Sequence, residues 1–545
     1  MNLTVAATPE IAPAIKQVAE QWRQGGAEVG GTCVTVTVDA QNASTVAGAV
    51  SRDHSVSLVG LDPAPDAVQA PDVWVPDSTT WLQRLQTEAA GFLPSEVTSV
   101  AQSPLVLAAP EPVAQQLGWP SKKIGWTDLM GNFTSDEPLA VGIMNPTVDA
   151  SGLTSLLAIS QAVGANTPEG AEAKTRAMTA LSTNKFQLRE ELMAKFPKSQ
   201  ADLANSDSVL LAPVSEEDVV AYNAQRPAIQ LSAMYLEPSP APLDYPYTIM
   251  PQLVDQQKSA AAKGLLEQLT AAAAKDTLAA AGLRAPDGTY GASFAAPMGA
   301  PQASPAVAAT ASKSASGGTA AAAGSGAALS AVVGSWIAIT TPGRALTVFD
   351  TSGSMAIKVP TANGASRAQV TQAAARTGLG LFSDKWSVGV WKFSTNEDGE
   401  KPYKQLVPIS ALSTGRPALQ SSIDKLNPTE TGGTGLYDTL LAAYSHVKKD
   451  WTKGKINSVI LFTDGKNDYA AGLKQDVFLS ELKKQLDPTK PIRVILIGIG
   501  NEVSEQELKT IQSVDEKNFG VFIADDPTKI TTIFAQAIGS RTGVK

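Results

Sequence analysis

Five residues with side-chain oxygens lie in three short segments of the second half of the chain. Asp350, Ser352 and Ser354 alternate in DTSGSM. Thr434 lies in TGGTGLYD, and Asp464 ends the run VILFTD. Because alternate side chains of an extended segment point the same way, the first three can converge on one point. Two carboxylates and three hydroxyls, with no His or Cys among them, predict a site for a hard divalent cation, either Mg²⁺, Ca²⁺ or Mn²⁺.

The predicted strands and helices place these segments at one edge of a sheet. The strand ALTVFD ends at Asp350, the strand SVILFTDG carries Asp464, and a helix follows Thr434. Ligands of open α/β sheets collect at the carboxyl ends of the strands. Ser, Thr and Asp are also common in turns and at helix N-caps, which explains each residue taken alone but not the ordered set of five.

In this order, the three segments resemble the metal-ion-dependent adhesion site of von Willebrand factor type A domains. The resemblance covers about residues 335–545 and implies a doubly wound, Rossmann-like α/β domain, to which we assign residues 329–545. It also implies that the three hydroxyls contact the ion, Mg²⁺ being the expected cofactor, and that the two aspartates bind directly or through water. A Glu or Asp carboxylate of a partner protein would complete the ligand shell.

Composition argues against several other functions. With 545 residues the chain is too long for one hydrophobic core, and its 17% charged residues are typical of soluble globular domains. Residues 1–300 carry a net charge of −14 and residues 301–545 one of +5, so the acidic first half argues against a nucleic-acid partner. One Cys and two His exclude a thiolate zinc site. The sequence shows no cofactor fingerprint and no catalytic triad, and we expect a binding protein rather than an enzyme.

A stretch of Ala, Gly, Ser and Pro at residues 291–328 separates the two halves and predicts a flexible or semi-extended linker, with a segment pinned along a domain surface as the alternative. The first half alternates predicted strands and helices, which indicates sheets covered by helices.

Two long extended runs, near residues 99–109 and 228–238, suggest that the chain of the first half crosses to a second lobe and returns. We therefore predict one lobe at residues 1–104 plus 232–290 and another at residues 105–231.

The first half is similar to periplasmic substrate-binding proteins of the two-lobe type II class. The similarity is carried by the segments LTVAATPEIAPAI, PDVWVPDSTTW and IMNPTVDASGLTSLL. The resemblance implies an extracytoplasmic bacterial protein, secreted or anchored at the cell surface, whose signal sequence is absent from this chain. It also implies a small polar solute as ligand and the permease of an ABC transporter as a partner.

Candidate ligand-binding residues of the first half lie at the starts of predicted helices. These are Thr8, Ser44, Ser78, Ser151 and Ser215, and Trp74 is added as an aromatic residue that could line a cleft. Plain helix capping explains each of the polar residues taken alone. Few Lys or Arg lie in these loops, which favours a neutral polar ligand, or an anion held by helix ends.

Two functions follow from the sequence. The first is metal-dependent protein recognition or adhesion through the second half, coupled to a solute-binding-like region. The alternative is a substrate-binding receptor of an ABC transporter, with the second half as an anchoring or docking module.

Overall fold

A computed structural model describes residues 1–56, 58–61, 64–89, 91–94, 96–133, 135, 137–164, 168–305, 326–380, 382, 384–429, 431–464, 466–500 and 504–524. The chain divides into two compact units, one formed mainly by Met1–Val163 and Ala180–Val333, and one formed by Gly334–Val544 together with Gly164–Thr179. Each unit is an α/β structure. Within the predicted linker, residues 306–325 lie outside the described residues, as does the end of the predicted adhesion domain after residue 524.

The first unit contains two main sheets. A five-stranded sheet has the order β4-β1-β5-β13-β6, and a four-stranded sheet has the order β11-β7-β12-β8. The strands are β1 (Asn2–Ala7), β2 (Glu28–Val29), β3 (Thr32–Cys33), β4 (Thr35–Ala40), β5 (Val73–Val75), β6 (Glu96–Ser99), β7 (Leu105–Pro110), β8 (Ile124–Gly125), β9 (Ile143–Met144), β10 (Lys185–Phe186), β11 (Ala212–Ser215), β12 (Leu231–Glu237) and β13 (Pro246–Ile249).

Eleven described helices belong to this half of the sequence. They are α1 (Ala12–Gln24), α2 (Ala43–Asp53), α3 (Thr80–Glu88), α4 (Glu111–Gln116), α5 (Trp126–Asn132), α6 (Ala150–Ala162), α7 (Pro168–Leu181), α8 (Arg189–Ala194), α9 (Glu216–Ala224), α10 (Gln256–Thr270) and α11 (Ala274–Ala280).

The two sheets correspond to two lobes joined by crossing segments. The chain leaves the first sheet after β6 and enters the second at β7, near the predicted crossing. On the return, β12 pairs with β7 and β8, so it belongs to the second sheet. The predicted boundary at residue 232 therefore falls inside a strand of the second lobe, and the first sheet resumes only at β13. Six of the seven residues of β12 are buried, because this strand lies in the interior of its sheet.

The beginning of the predicted linker packs on the first unit. Phe294 stacks on Tyr290 at 4.6 Å between ring centroids, and the buried Arg284 side chain donates a hydrogen bond of 3.0 Å to the Pro301 carbonyl. Low-complexity composition does not distinguish such a pinned segment from a free one.

The second unit is built on a six-stranded sheet of order β16-β15-β14-β17-β18-β19. All neighbours are parallel except the edge strand β16, which is antiparallel to β15. Its strands are β14 (Gly343–Asp350), β15 (Ser387–Asp398), β16 (Lys401–Ala411), β17 (Ile456–Thr463), β18 (Arg493–Ile499) and β19 (Phe519–Ala524). The helices that follow α11 are α12 (Gly326–Thr340), α13 (Arg367–Gly380), α14 (Leu412–Ile423), α15 (Leu436–Lys449), α16 (Gln475–Gln485) and α17 (Glu505–Gln512).

Every residue of β14 is buried, because hydrophobic clusters cover both faces of the sheet. Phe349 lies in one cluster, stacked on Phe462 at 4.9 Å between ring centroids, and Val348 lies in the other. This central strand ends at Asp350, so the packing of the core determines where that carboxylate lies.

Among the described residues, no helix is both long and apolar enough to cross a bilayer.

Candidate functional site

The predicted metal ligands Asp350 and Asp464 lie at the carboxyl ends of adjacent parallel strands. Asp350 is the last residue of β14 and Asp464 directly follows β17, and the two strands pair in a register that places Phe349 beside Phe462. The strand order reverses direction at this pair, since β15 lies on one side of β14 and β17 on the other. This is the switch point at which open α/β sheets bind ligands.

A chain of short oxygen contacts joins four of the five predicted ligands. The Asp350 carboxylate accepts a hydrogen bond of 2.8 Å from the Ser352 backbone N–H. The Ser352 and Ser354 hydroxyl oxygens are 3.1 Å apart, and the Ser354 hydroxyl donates to Asp464 Oδ1 over 2.7 Å. The alternation of Asp350, Ser352 and Ser354 therefore does bring oxygens from separate loops together.

These spacings fit a small divalent cation. Adjacent ligands of an octahedral ion bound at about 2.1 Å lie about 3 Å apart, close to the separations of the Ser352, Ser354 and Asp464 oxygens. Within the described part of the chain, no group of three or more His, Cys, Asp or Glu side chains is arranged to hold a metal. A metal at this switch point would accordingly depend on hydroxyl oxygens beside the two carboxylates.

The two carboxylates are buried and affect each other. Asp350 and Asp464 are 2% and 0% exposed. Burial, reinforced by the charge of Asp464, raises the pKa of Asp350 to about 7, although hydrogen bonds from Ser352 and Thr463 act in the opposite direction. The Thr463 hydroxyl donates to Asp350 Oδ2 over 2.6 Å. A nearby cation would stabilise the ionised form of Asp350.

Arg367, the first residue of α13, provides one positive charge at this site. Its Nη1 donates to Asp464 Oδ2 over 2.9 Å, while Asp464 Oδ1 faces the Ser354 hydroxyl. Arg367 was not among the predicted site residues. Its only signal is its position at the start of the helix that follows the DTSGSM loop.

Thr434 lies in a loop that contacts the first loop through the backbone. The Gly353 N–H donates to the Gly432 carbonyl over 2.9 Å. Thr434 is buried, and its own N–H donates to the Asp468 carboxylate. In the described residues, no hydrogen bond joins the Thr434 hydroxyl to the other four predicted side chains. Asp468 was also missed, although it follows Asp464 by four residues in the same loop.

A second cluster of charges lies between the two lobes of the first unit. Arg189, at the start of α8, makes three ion pairs with buried carboxylates: 2.9 Å to Glu10, 2.7 Å to Asp77 and 2.9 Å to Asp149. Glu10 and Asp77 come from the first lobe, while Arg189 and Asp149 come from the second. We call these four residues the clasp, since they connect the lobes across the cleft.

Two of the six predicted ligand residues line this cleft. Thr8 and Ser44 border a small cavity of about 60 Å³, together with all four clasp residues. The Thr8 hydroxyl is buried and has no hydrogen-bond partner in the described structure.

The other four predicted residues do not line this cavity. Trp74 is fully buried in the core of the first lobe, because its strand is covered on both faces. Ser78 accepts a hydrogen bond from the Thr80 N–H, and the Ser151 hydroxyl donates to Asp149 over 2.5 Å. Ser215 forms a capping box with Asp218 at the start of α9. These polar residues stabilise turns and helix ends.

Two carboxylates of the clasp, Asp77 and Asp149, have pKa values shifted in opposite directions. Burial raises the pKa of Asp77 to about 7, which the charge of Arg189 opposes and those of Asp149 and Glu10 reinforce. Burial also acts on Asp149, but Arg189 and the Ser151 hydroxyl hold its pKa below the usual range. The clasp was missed from sequence because its members are about 180 residues apart at most and carry no local pattern.

Comparison with known proteins supports the division of the chain. The profile of the bacterial extracellular solute-binding protein family matches residues 3–284, and that of the von Willebrand factor type A domain matches residues 346–536. An uncharacterized protein of Mycobacterium tuberculosis strain H37Rv is 25% identical over 530 residues, which cover 92% of this chain and 71% of that protein.

Solved structures similar to each half are also found. A von Willebrand factor type A protein from Catenulispora acidiphila is 19% identical and covers 36% of this chain and 42% of that chain, with a TM-score of 0.29. The sulfate-binding protein of Mycobacterium tuberculosis H37Rv is 15% identical and covers 52% of this chain and 87% of that chain, with a TM-score of 0.34.

Solute-binding proteins of this kind are periplasmic or extracellular, which supports an extracytoplasmic binding protein. Both families are, in general, binding modules rather than catalysts. The family match covers more than half of the chain. The chain therefore belongs to the bacterial extracellular solute-binding proteins and carries a von Willebrand factor type A domain in its second half.

Proposed function

We propose that the second unit recognises a protein through a divalent cation, Mg²⁺ in the first instance and Ca²⁺ or Mn²⁺ as alternatives. Asp350, Ser352, Ser354, Thr434 and Asp464 would hold the ion. The observation that carries this proposal is the chain of contacts from Ser352 through Ser354 to Asp464, with oxygens 2.7–3.1 Å apart beside two buried carboxylates.

Charge explains why such a site would bind a partner. Hydroxyl ligands are neutral, and one oxygen of Asp464 is already bound by Arg367. A cation held here would retain net positive charge and a ligand position open to a carboxylate from outside. An acidic residue of a partner protein is the group best suited to that position.

Metal binding can be tested on the full chain by calorimetry. We expect Mg²⁺ to bind in a 1:1 ratio and to raise the melting temperature of the second unit. Asp350→Asn keeps the shape of the side chain but removes its charge, and it should abolish this effect. Asp384→Asn, at an exposed aspartate of the same unit, is a matched control that should leave it intact. Unchanged Mg²⁺ binding in Asp350→Asn would contradict the proposal.

The acidic partner can be tested with immobilised peptides that differ only in one Glu or Gln. Retention of the chain on Glu peptides should require Mg²⁺ and be reversed by EDTA. Equal retention on Glu and Gln peptides, or retention that persists in EDTA, would exclude recognition through a metal-bound carboxylate.

A second candidate function is solute binding between the lobes of the first unit, with an ABC permease as partner and the second unit as anchor or docking module. It is favoured by a cavity of about 440 Å³ beside Arg189, a volume within the range of about 300–1,000 Å³ typical of small-molecule sites. The protein would perform either function outside the cytoplasm, secreted or anchored at the cell surface.

A further inference from the structure

The cavity of about 440 Å³ adjoins the clasp and is open to a ligand larger than water. Its wall combines apolar groups, among them Met193 and Ala221, with acidic groups from three segments of the chain. The acidic residues are Glu10, Glu190, Glu217 and Asp218.

Negative charge predominates along the cleft. Six carboxyl groups line this cavity and the smaller one next to it, against two cationic side chains, Arg189 and Lys198. Arg189 is already engaged by three of those carboxylates. The cleft therefore has an excess of acidic groups that its own cations do not neutralise.

Glu217 is a largely buried carboxyl group in the wall of this cavity. It is 8% exposed, and among the described residues no hydrogen bond or salt bridge reaches its carboxylate. Burial, together with the charges of Asp218 and Glu10, raises its pKa well above the usual range, while Arg189 acts in the opposite direction. A buried carboxylate without a partner is costly, and a cation from outside would remove that cost.

Tyr222 provides a second, independent indication of a ligand. It lines the same cavity and is 8% exposed, and its hydroxyl is buried without a hydrogen-bond partner in the described structure. Buried hydroxyls in folded proteins nearly always have a partner. A ligand that brings a hydrogen-bond donor into the cavity would satisfy Glu217, and Tyr222 lies in the same wall.

An anion is disfavoured because the helix ends near the cleft already hold carboxylates of the chain. Asp149 caps α6 by accepting from the Ser151 and Gly152 N–H groups, and Asp218 closes the capping box of α9. The expectation that helix ends hold an anionic solute therefore loses its physical basis at these two helices.

We propose that this cavity binds a small organic cation, with an ammonium group at the Glu217 carboxylate and the Tyr222 hydroxyl and an apolar body against Met193 and Ala221. The inference rests on the second proposed function, solute binding between the lobes, and it specifies the charge of the solute. Charge attraction, a hydrogen bond to each polar group and apolar contact together define a primary amine with an alkyl or aryl body.

The test uses the full chain in EDTA, so that metal binding by the second unit does not contribute. Calorimetry and thermal melting would compare three amines, tyramine, 2-phenylethylamine and 1,4-diaminobutane, with their neutral alcohol counterparts and with sulfate and phosphate. We expect at least one amine to bind about tenfold or more tightly than its alcohol counterpart.

Two variants test whether the amine binds in this cavity. Glu217→Gln retains the shape but not the charge and should weaken amine binding about tenfold or more, and Tyr222→Phe should weaken it by a smaller factor. Glu267→Gln, at an exposed residue of α10 outside the cavity wall, is the control and should bind like the unmodified chain. Tyr222→Phe keeps the test decisive if the Glu217 variant fails to fold.

The outcomes separate the inference from the function on which it rests. Binding of an alcohol or of an anion in preference to every amine would overturn the cationic ligand but leave solute binding in place. The cationic ligand would also be overturned if Glu217→Gln and Tyr222→Phe both bound amines as tightly as the unmodified chain. If no solute in the panel binds at millimolar concentration, both the inference and the second proposed function fail.

Discussion

The two units each bury a cluster of carboxylates, but they balance the charge differently. Between the lobes of the first unit, Arg189 forms ion pairs with Glu10, Asp77 and Asp149. In the second unit, Arg367 pairs with Asp464, and the hydrogen bonds that Asp350 accepts from described residues come from the neutral Ser352 N–H and Thr463 hydroxyl.

This difference indicates what each cluster requires from outside. The clasp supplies its own cation and connects two lobes, so its first role is structural. The switch-point site supplies hydroxyls and the Arg367 guanidinium, and we propose that an added ion stabilises its two carboxylates. Removing each arginine, with and without Mg²⁺, tests the distinction directly.

The largest effect is expected for Arg189→Met. Loss of this guanidinium leaves three buried carboxylates without their cation, which should lower the free energy of unfolding of the first unit by about 5 kcal/mol. Hydrogen–deuterium exchange of peptides from residues 1–250 would measure the change in that unit alone. Mg²⁺ should not restore the lost stability.

Arg23→Met is the matched control for that variant. Arg23 pairs with Glu20 on the exposed surface of α1, where ion pairs contribute about 1 kcal/mol or less. If the two variants were equally stable, the clasp would contribute no more than a surface pair.

A smaller effect is expected for Arg367→Gln. This variant breaks one buried pair and leaves Asp464 without its cation, at a cost of about 3 kcal/mol in EDTA. Because a metal would take over the role of the guanidinium, Mg²⁺ should restore most of that loss. Denaturant unfolding of the second unit, monitored by hydrogen–deuterium exchange, would measure both the stability lost in EDTA and the stability restored by Mg²⁺. If Mg²⁺ failed to restore stability, the loss of Arg367 would be no more replaceable by a metal than the loss of Arg189. The proposed difference between the two units would then be contradicted.

The pH dependence of the first unit should depend on Asp77. Its pKa of about 7 lies above the value of about 3.9 expected in the unfolded chain, so the folded state binds an extra proton between these values. In that window, stability should decrease as pH rises, by of the order of 1 kcal/mol per pH unit. The groups that face Asp77 are Arg189, Asp149, Glu10 and Trp81.

Asp77→Asn should remove this slope, as measured by denaturant midpoints from pH 4 to pH 8. Asp149→Asn is the comparison variant, because the pKa of Asp149 is lowered whereas that of Asp77 is raised. The lowered pKa of Asp149 contributes stability above its unfolded value that is lost as pH falls. This variant should therefore keep the slope between pH 4 and pH 7, reduced by the loss of the Asp149 charge that helps to raise the pKa of Asp77. A slope unaffected by Asp77→Asn would refute the assignment.

The smallest effect is expected at the loop of Thr434. A methyl group on Gly433 would lie 2.5 Å from an oxygen of Asp468, which must then move. Since Asp468 holds the Thr434 N–H, Gly433→Ala should weaken Mg²⁺ binding by a few-fold, measured by calorimetry. Gly380→Ala, where a methyl group meets nothing within 4 Å, should bind Mg²⁺ normally. Equal affinity in both variants would show that this loop does not position a ligand.

Local patterns were sufficient to predict much of the second unit. The buried strand ending at Asp350 and the strand ending before Asp464 follow from short hydrophobic runs, and the topology places them side by side. Arg367 could not be found in this way, since its pairing with Asp464 depends on how α13 packs and not on any spacing in the chain.

The first unit shows where sequence patterns are insufficient. Helix capping at Ser215 is local, and the sequence alone already offered capping as an explanation for this residue. The clasp, in contrast, joins Glu10 to Arg189 across 179 positions, and only the folded lobes bring these side chains together. We expected an anionic or neutral ligand from the composition of the loops. That composition does not show the carboxylates that the fold brings together in the cleft.

If the cleft binds a solute as proposed, the clasp has a consequence for the rate of solute exchange. The ion pairs of Arg189 with Glu10 and Asp77 join the two lobes, so a solute that enters by separation of the lobes must wait for both contacts to break. Its observed association rate would then rise with solute concentration only until it reached the opening rate of the cleft, and further solute would bind no faster. The ion pairs of Arg189 would therefore set the maximum association rate, which would be a property of the protein rather than of the solute.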